Sequence, residues 1–120
     1  MKELMTLAVI AVFCAVAGAG PAPAQEAECP QHEATIDSLR MCVEHAFEMG
    51  HIDSHGIAAS LLAKLDAAQA AYDRGEPWVA VNMVEAFVQE TEAQAGKHIE
   101  ADHAGHMIMH AEMVLAALST

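Results

Sequence analysis

The sequence predicts an all-α fold, a compact antiparallel four-helix bundle of short helices, and three observations support this prediction. Apolar residues recur at steps of three and four along four successive stretches, glycine or proline separates these stretches, and no stretch alternates as a β-strand would. The 120 residues suit one domain, and 54% of them are hydrophobic although only 4% are aromatic. A core so poor in aromatic side chains favours helices that approach each other closely over alanine.

The chain begins with a segment, residues 1–24, that has the organisation of a secretory signal peptide. Lys2 precedes an apolar run over residues 4–17, and Ala22-Pro23-Ala24 has the form of an A-x-A cleavage site. We therefore expect a secreted or periplasmic protein whose mature chain starts with an extended segment, residues 25–32. The apolar run is short for a membrane span and lacks a positive flank to stop transfer, so we expect no stable membrane anchor after cleavage. The alternative is a signal that is retained as an anchor.

The three cysteines divide between the signal and the mature chain. Cys14 would leave with the signal, and the bulky Phe13 before it disfavours processing as a lipoprotein. In an oxidising compartment, Cys29 and Cys42 predict one disulfide that ties the N-terminal segment to the first helix and contributes roughly 3 kcal/mol. The pairing is feasible because about four extended residues match the length of about nine helical ones. A metal-thiolate pair and an intermolecular bridge are the alternatives.

The first two helices form a predicted hairpin. Helix one is expected from about Glu33 to Met49, where Gly50 stops it, and helix two from Gly56 to Gly75. Asp53 and Ser54 are N-cap candidates for helix two, and Gly75 offers a left-handed C-cap. The apolar stripe of helix one is Ile36, Leu39, Val43 and Ala46 or Phe47. The stripe of helix two is Ile57, Leu61, Leu65, Ala68 and Tyr72.

Two further helices complete the predicted bundle. Helix three is expected from Pro77 to about Ala95, with Gly96 ending it, and helix four from about Ala101 to Leu118. Short connections make sequential helices antiparallel neighbours, so the first and third junctions should lie at the same end of the bundle. The stripe of helix three is Val81, Val84, Phe87, Val88 and Thr91. Helix four is expected to bury Ala104, Met107, Ile108, Ala111, Val114, Leu115 and Leu118.

Two runs of the mature chain are distinctive. Residues 56–65 have the pattern G-I-x-x-S-L-L-A-K-L, and residues 93–99 have the pattern A-Q-x-G-K-x-I. At this separation, with Ile36-Asp37-Ser38-Leu39 ahead of them, they resemble the FIMAH domain, named for its occurrence in many adhesins and hydrolases. The resemblance implies a single helical domain, residues 33–120, of a kind that accompanies enzymatic or adhesive domains in secreted bacterial proteins. It implies no catalytic or binding residues.

Charge and motif content argue against several function classes. With 17 acidic and 5 basic residues, the net charge of -12 repels nucleic-acid phosphates and anionic lipids. The sequence has no G-x-S-x-G, no phosphate-cradling glycine loop and no H-E-x-x-H. Ser60 lies within a predicted helix and is interpreted as a small packing residue. The first hypothesis is therefore a non-catalytic interaction or accessory module that needs no cofactor and binds an extracellular or periplasmic protein.

Histidine is the unusual residue of the composition, with eight copies. One cluster surrounds the first helix junction and another surrounds the third, so the two clusters should meet at one end of the bundle. On helix four, His103, His106 and His110 fall at about 0°, 300° and 340° and share a stripe beside the apolar face. Met109 and Met113 occupy the next stripe.

These histidines suggest a competing hypothesis, a binder of copper or zinc. Imidazole with thioether suits copper, and imidazole with a carboxylate such as Asp102 suits zinc or nickel. The same pattern also arises from solvated histidines and core methionines. The candidate metal ligands are His103, His106, His110, His98, His51 and His55.

Trp78 is a candidate contact for a partner protein. It falls on the polar side of helix three, where an exposed indole would form an anchor. The alternative is an indole that packs over the end of the hairpin against Tyr72 and Pro77.

Overall fold

The computed structural model describes residues 33–120, which form four α-helices. These are α1 (Ile36–Glu48), α2 (His55–Asp73), α3 (Pro77–Gln94) and α4 (Ala101–Leu118). Each helix packs against its neighbours in sequence, and α4 also packs against α1, so that the four form a closed ring. The predicted all-α four-helix bundle is confirmed. The predicted signal, the extended segment 25–32 and Cys29 lie outside the described residues.

The ends of the helices follow local capping chemistry. α1 begins three residues later than predicted, because Thr35 is extended and its side-chain oxygen accepts a hydrogen bond from the Ser38 amide at 3.0 Å. At α2, Ser54 is the N-cap and accepts from the amide of Ile57 at 3.3 Å. Gly75 follows α2 with a φ of 81°, as its predicted left-handed role requires.

The core lies along the inner faces of the four helices. Leu39, Leu65, Phe87 and Met107, one from each helix, are fully buried. Alanine at several other inner positions lets the helices approach each other, in keeping with the low aromatic content. The buried alanines are Ala46, Ala58, Ala68, Ala71, Ala80, Ala104 and Ala111.

Some predicted apolar positions are not in the core. Phe47 and Tyr72 lie in the last turns of α1 and α2, and both are exposed. On α4, His103 and His110 are buried, whereas Ile108 is only partly buried. The buried face of α4 is therefore displaced toward α1, which the periodicity of a single helix does not reveal.

Polar side chains also link neighbouring helices. Glu90 of α3 accepts hydrogen bonds from the Ser60 hydroxyl at 2.8 Å and from Lys64 Nζ at 2.9 Å, both on α2. Arg40 of α1 donates through Nε to an Asp66 carboxylate oxygen of α2 at 2.6 Å. Ser60 therefore does more than pack, since its hydroxyl belongs to a hydrogen-bonded link between α2 and α3. Across residues 33–120, no helix combines the length and the hydropathy that a membrane span requires.

Two glycine-to-alanine substitutions should have opposite effects on stability. Gly75→Ala places a side chain at positive φ and should lower the free energy of unfolding by about 1 kcal/mol. Gly105→Ala, inside α4, meets no atom within 4 Å and should raise it by up to about 1 kcal/mol through helix propensity. Urea unfolding of both variants measures the difference. Equal effects would show that backbone conformation is not what distinguishes the two positions.

Candidate functional site

Two loops meet at one end of the bundle, as the predicted order of the helices requires. Ile52, between α1 and α2, and Ile99, between α3 and α4, form an isolated antiparallel bridge. The Asp53 amide donates to the His98 carbonyl, and the Glu100 amide donates to the His51 carbonyl, both at 2.9 Å. We call residues 51–53 and 98–100 the loop ladder. It brings the two sequence clusters of histidine together.

The loop ladder has an apolar face and a polar face. Ile52 and Ile99 are each 1% exposed and close the end of the core. Because side chains alternate along extended backbone, the residues flanking each isoleucine lie on the opposite face. These residues pair across the ladder. His51 Nδ1 is 2.8 Å from Glu100 Oε1, and His98 Nδ1 is 2.9 Å from Asp53 Oδ1.

The direction of these two hydrogen bonds follows from the acceptors. An ionised carboxylate can only accept, so Nδ1 of each ring carries the hydrogen. In the neutral imidazole, the Nε2 atom of the same ring then has a free lone pair. Carboxylates that orient imidazoles in this way are common beside metal ions and at sites of proton transfer.

A buried histidine lies directly behind the loop ladder. His103 of α4 is 4% exposed, and its ring stacks on that of His51 with centroids 4.2 Å apart and planes 13° apart. His106 meets the His103 ring edge-on at 6.2 Å. Within residues 33–120, His103 Nε2 has no hydrogen-bond partner. The stack therefore joins α4 to the first loop through ring contact.

The surroundings of His103 favour its neutral form. Burial lowers the pKa of His103, and the neighbouring His51, His106 and His45 lower it further when charged. Glu100 raises the pKa of His103, but its effect is smaller than that of burial, His51 or His106. His103 is therefore a neutral, buried ring at pH 7.

The remaining candidate histidines, His55 and His110, make other contacts. His110 Nε2 is 2.7 Å from the Glu33 backbone oxygen and 3.3 Å from Ser38 Oγ, near the start of α1. His55 places its ring against Phe47, with centroids 5.9 Å apart. The predicted stripe of α4 is thus divided, because His103 and His110 are buried at different places while His106 is exposed.

The positions of the candidate ligands can be compared with those that a metal ion requires. Among residues 33–120, no three His, Cys, Asp or Glu side chains are already grouped so that they could hold a metal ion. Met109 and Met113 are 64% and 45% exposed, on the outer side of α4. Metal binding by the six histidines stays a prediction. The disulfide between Cys29 and Cys42 also stays a prediction, because Cys29 lies outside the described residues. Cys42 itself is fully buried in α1.

Sequence reasoning missed two members of the site. Asp53 was expected only as a helix cap, and Glu100 was not expected to have a role. A signal for both is present in the chain, since the triplets His51-Ile52-Asp53 and His98-Ile99-Glu100 each place a histidine and an acid around an isoleucine. Two such triplets at junctions predicted to meet would have indicated the pairing.

Trp78 lies in the first turn of α3 and is 64% exposed. The indole is thus largely in solvent, as the partner-contact hypothesis requires. Tyr72, just before the α2–α3 turn, is also exposed and borders a cavity of about 230 Å³. This cavity lies at the end of the bundle opposite to the loop ladder.

The fold and the site define a small helical module, with acid-histidine pairs at one end and the exposed Tyr72 and Trp78 at the other. The family model of the FIMAH domain matches residues 36–116, which include nearly all of the four helices. The chain therefore belongs to the FIMAH family, and the predicted resemblance is confirmed. No curated protein and no solved structure matches the chain.

The burial of neutral His103 predicts a loss of stability in acid. Its pKa is lower in the folded chain, so between about pH 6.5 and that lower pKa the unfolded chain binds more protons. Stability should fall as the pH drops through this range, by at most about 1.4 kcal/mol per pH unit from this one group. His103→Phe keeps a stacking ring without the titration and should lose less stability in acid than the wild type.

Urea unfolding at a series of pH values from neutral to mildly acidic tests this expectation. His55→Phe is the matched control, because His55 is an exposed histidine outside the group of residues that shift the pKa of His103. The control should keep the wild-type pH dependence. An unchanged pH dependence in His103→Phe would mean that other groups cause the acid sensitivity.

Proposed function

We propose that this FIMAH-family chain is an exported, non-catalytic helical module that binds another extracellular or periplasmic protein. The family match over residues 36–116 is the observation that carries the proposal. The signal-like organisation of residues 1–24 supports export. The net charge of -12 disfavours nucleic acids and anionic membranes as partners.

The exposed aromatic end of the bundle is the surface we assign to the partner. Trp78 and Tyr72 are large, rigid side chains that stand in solvent on either side of the α2–α3 turn. Tryptophan and tyrosine are enriched among residues that dominate binding energies. The cavity beside Tyr72 is lined partly by apolar side chains, including Ile36 and Leu118, and could receive a side chain of the partner.

The non-catalytic part of the proposal rests on how the reactive groups are engaged. Ser60 donates its hydroxyl hydrogen to Glu90 and accepts from Lys64, which itself is ion-paired with Glu90. No imidazole is shown next to this hydroxyl within residues 33–120. Cys42 is fully buried, and His103 is packed against another ring. Each group therefore has a structural role in the bundle.

Substitution of Trp78 tests the proposed surface. Immobilised residues 25–120 should retain a partner from the extracellular or periplasmic fraction, and the identified partner can then be titrated in purified form. Trp78→Ala should weaken the affinity by about 30-fold, the loss of about 2 kcal/mol expected when a central aromatic anchor is removed. Calorimetry or biolayer interferometry measures this change.

Met113→Ala is the control, because Met113 is also exposed and apolar but belongs to α4. It should bind like the wild type, and both variants should keep the helical circular dichroism of the wild type. Equal affinities of Trp78→Ala and the wild type would remove the aromatic end as the binding surface. An enzymatic activity that co-purifies with the chain and is abolished by Ser60→Ala would contradict the non-catalytic assignment.

A second candidate function, binding of copper or zinc, is favoured by one observation. Imidazoles from two loops and from α4 gather at one end of the bundle beside two carboxylates. Under this candidate, titration of residues 25–120 with Zn²⁺ or Cu²⁺ should show one saturable site at micromolar metal or below. Absence of binding in that range would eliminate the candidate and leave the interaction function unaffected.

A further inference from the structure

We propose that the outer face of α3 is a docking surface for a basic amphipathic helix of the partner protein. We call this surface the α3 ridge, and its residues are Trp78, Asn82, Glu85, Gln89 and Glu92. The inference deepens the proposed interaction function and rests on it, because Trp78 is both the assigned anchor and the first residue of the ridge. The observation that carries it is the alignment of an exposed indole with carboxylates on a helix that contains no cation.

The α3 ridge is a narrow stripe along the outer side of the helix. At about 100° per residue, its members lie within about 80° of one another around the helix axis. All of them are exposed, whereas other faces of α3 pack against α2 and α4. Trp78, Glu85 and Glu92 follow at intervals of seven residues. They are therefore about 10.5 Å apart along the axis and span about 21 Å, the length of about four helical turns.

The negative charge of the α3 ridge is not balanced by the chain itself. α3 contains no lysine, arginine or histidine. Basic side chains nearby in the bundle are bound to other carboxylates, in the ion pairs Arg40–Asp66, Lys64–Glu90 and Arg74–Glu76. Within residues 33–120, no ion pair joins Glu85 or Glu92 to a cation. Both carboxylates therefore remain available to a cationic partner.

Glu92 has a second reason to bind a cation. It lies in the last turn of α3, where the carbonyl groups carry partial negative charge and no basic residue opposes them. An arginine or lysine of a partner would offset the carboxylate and the helix end together. At the start of the ridge, Trp78 exposes a large apolar ring to water. A helix that is both apolar and basic would relieve both unfavourable features.

The spacing of the α3 ridge defines the chemistry of the docking helix. Such a helix would place an apolar patch against Trp78 and basic residues, about seven positions apart, against Glu85 and Glu92. Arginine suits these positions because its guanidinium group donates two parallel hydrogen bonds to one carboxylate. The amides of Asn82 and Gln89 both donate and accept, so they suit polar side chains between the basic ones. The net charge of -12 would also speed the encounter with a basic helix.

Binding of synthetic helical peptides tests the α3 ridge. The probe is a fluorescent amphipathic peptide with arginine at every seventh position beside a leucine stripe, and its comparison peptide has glutamate in place of each arginine. In fluorescence anisotropy, residues 25–120 should bind the arginine peptide and not the glutamate peptide. Glu85→Gln combined with Glu92→Gln should weaken this binding about 10-fold at low salt, the expected loss of two partly exposed ion pairs. Added salt should weaken wild-type binding more than binding by this double variant.

Glu48→Gln combined with Glu112→Gln is the matched control. It removes two exposed carboxylates from α1 and α4 and changes the net charge equally. The control should bind the arginine peptide like the wild type. Equal weakening by both double variants would show that net charge, rather than the α3 ridge, attracts the peptide, and would overturn the inference. A wild-type chain that does not distinguish the two peptides would overturn it as well.

Amide chemical shifts locate the bound peptide independently. They should change along residues 78–92, and changes confined to other helices would contradict the α3 ridge. The purified partner protein separates this inference from the proposed function. If Trp78→Ala weakens its binding but the Glu85 and Glu92 double variant does not, the ridge is wrong while the proposed function stands. If neither weakens it, both fail, provided that each variant keeps the helical circular dichroism of the wild type.

Discussion

Closure of the helix ring, by packing of α4 against α1, is the constraint on which the rest of the structure depends. An antiparallel succession of four helices already places the first and third loops at the same end. Only closure puts them side by side, because α1 leads into the first loop and α4 leaves the third. The Ile52–Ile99 bridge, the stack of His103 on His51 and the acid-histidine pairs all follow from this adjacency.

Much of the fold could be predicted because its signals are local. Glycine, proline and the Ser54 cap mark the ends of α2 and α3, and periodicity identifies their inner faces. The start of α1 was misplaced because Thr35 is a cap within an otherwise helix-compatible run. Tyr72 was assigned to the core because helical spacing does not reveal where a neighbouring helix ends. Such errors concern the last turns, where tertiary coverage decides burial.

Less of the candidate site could be predicted, since it depends on contacts between distant segments. The meeting of the histidine clusters follows from helix order, but the pairing of His51 with Glu100 and of His98 with Asp53 depends on the register of two loops. Burial of His110 against the start of α1 is a contact between residues far apart in sequence, and no spacing on α4 foretells it. The resemblance to the FIMAH family located the module but assigned no residue a role, so the site had to come from geometry.

The bridge between Ile52 and Ile99 also has a consequence for folding kinetics. It joins the two ends of the α2–α3 hairpin, so a long stretch of chain must be ordered before the contact can form. Contacts within a helix or a hairpin close shorter loops and cost less entropy. We therefore expect the bridge to form after the helices during folding and to open before them during unfolding. The amides of Asp53 and Glu100, which donate across it, should then exchange with solvent while the interior helices remain protected. The loop ladder should therefore open locally while the four helices remain folded.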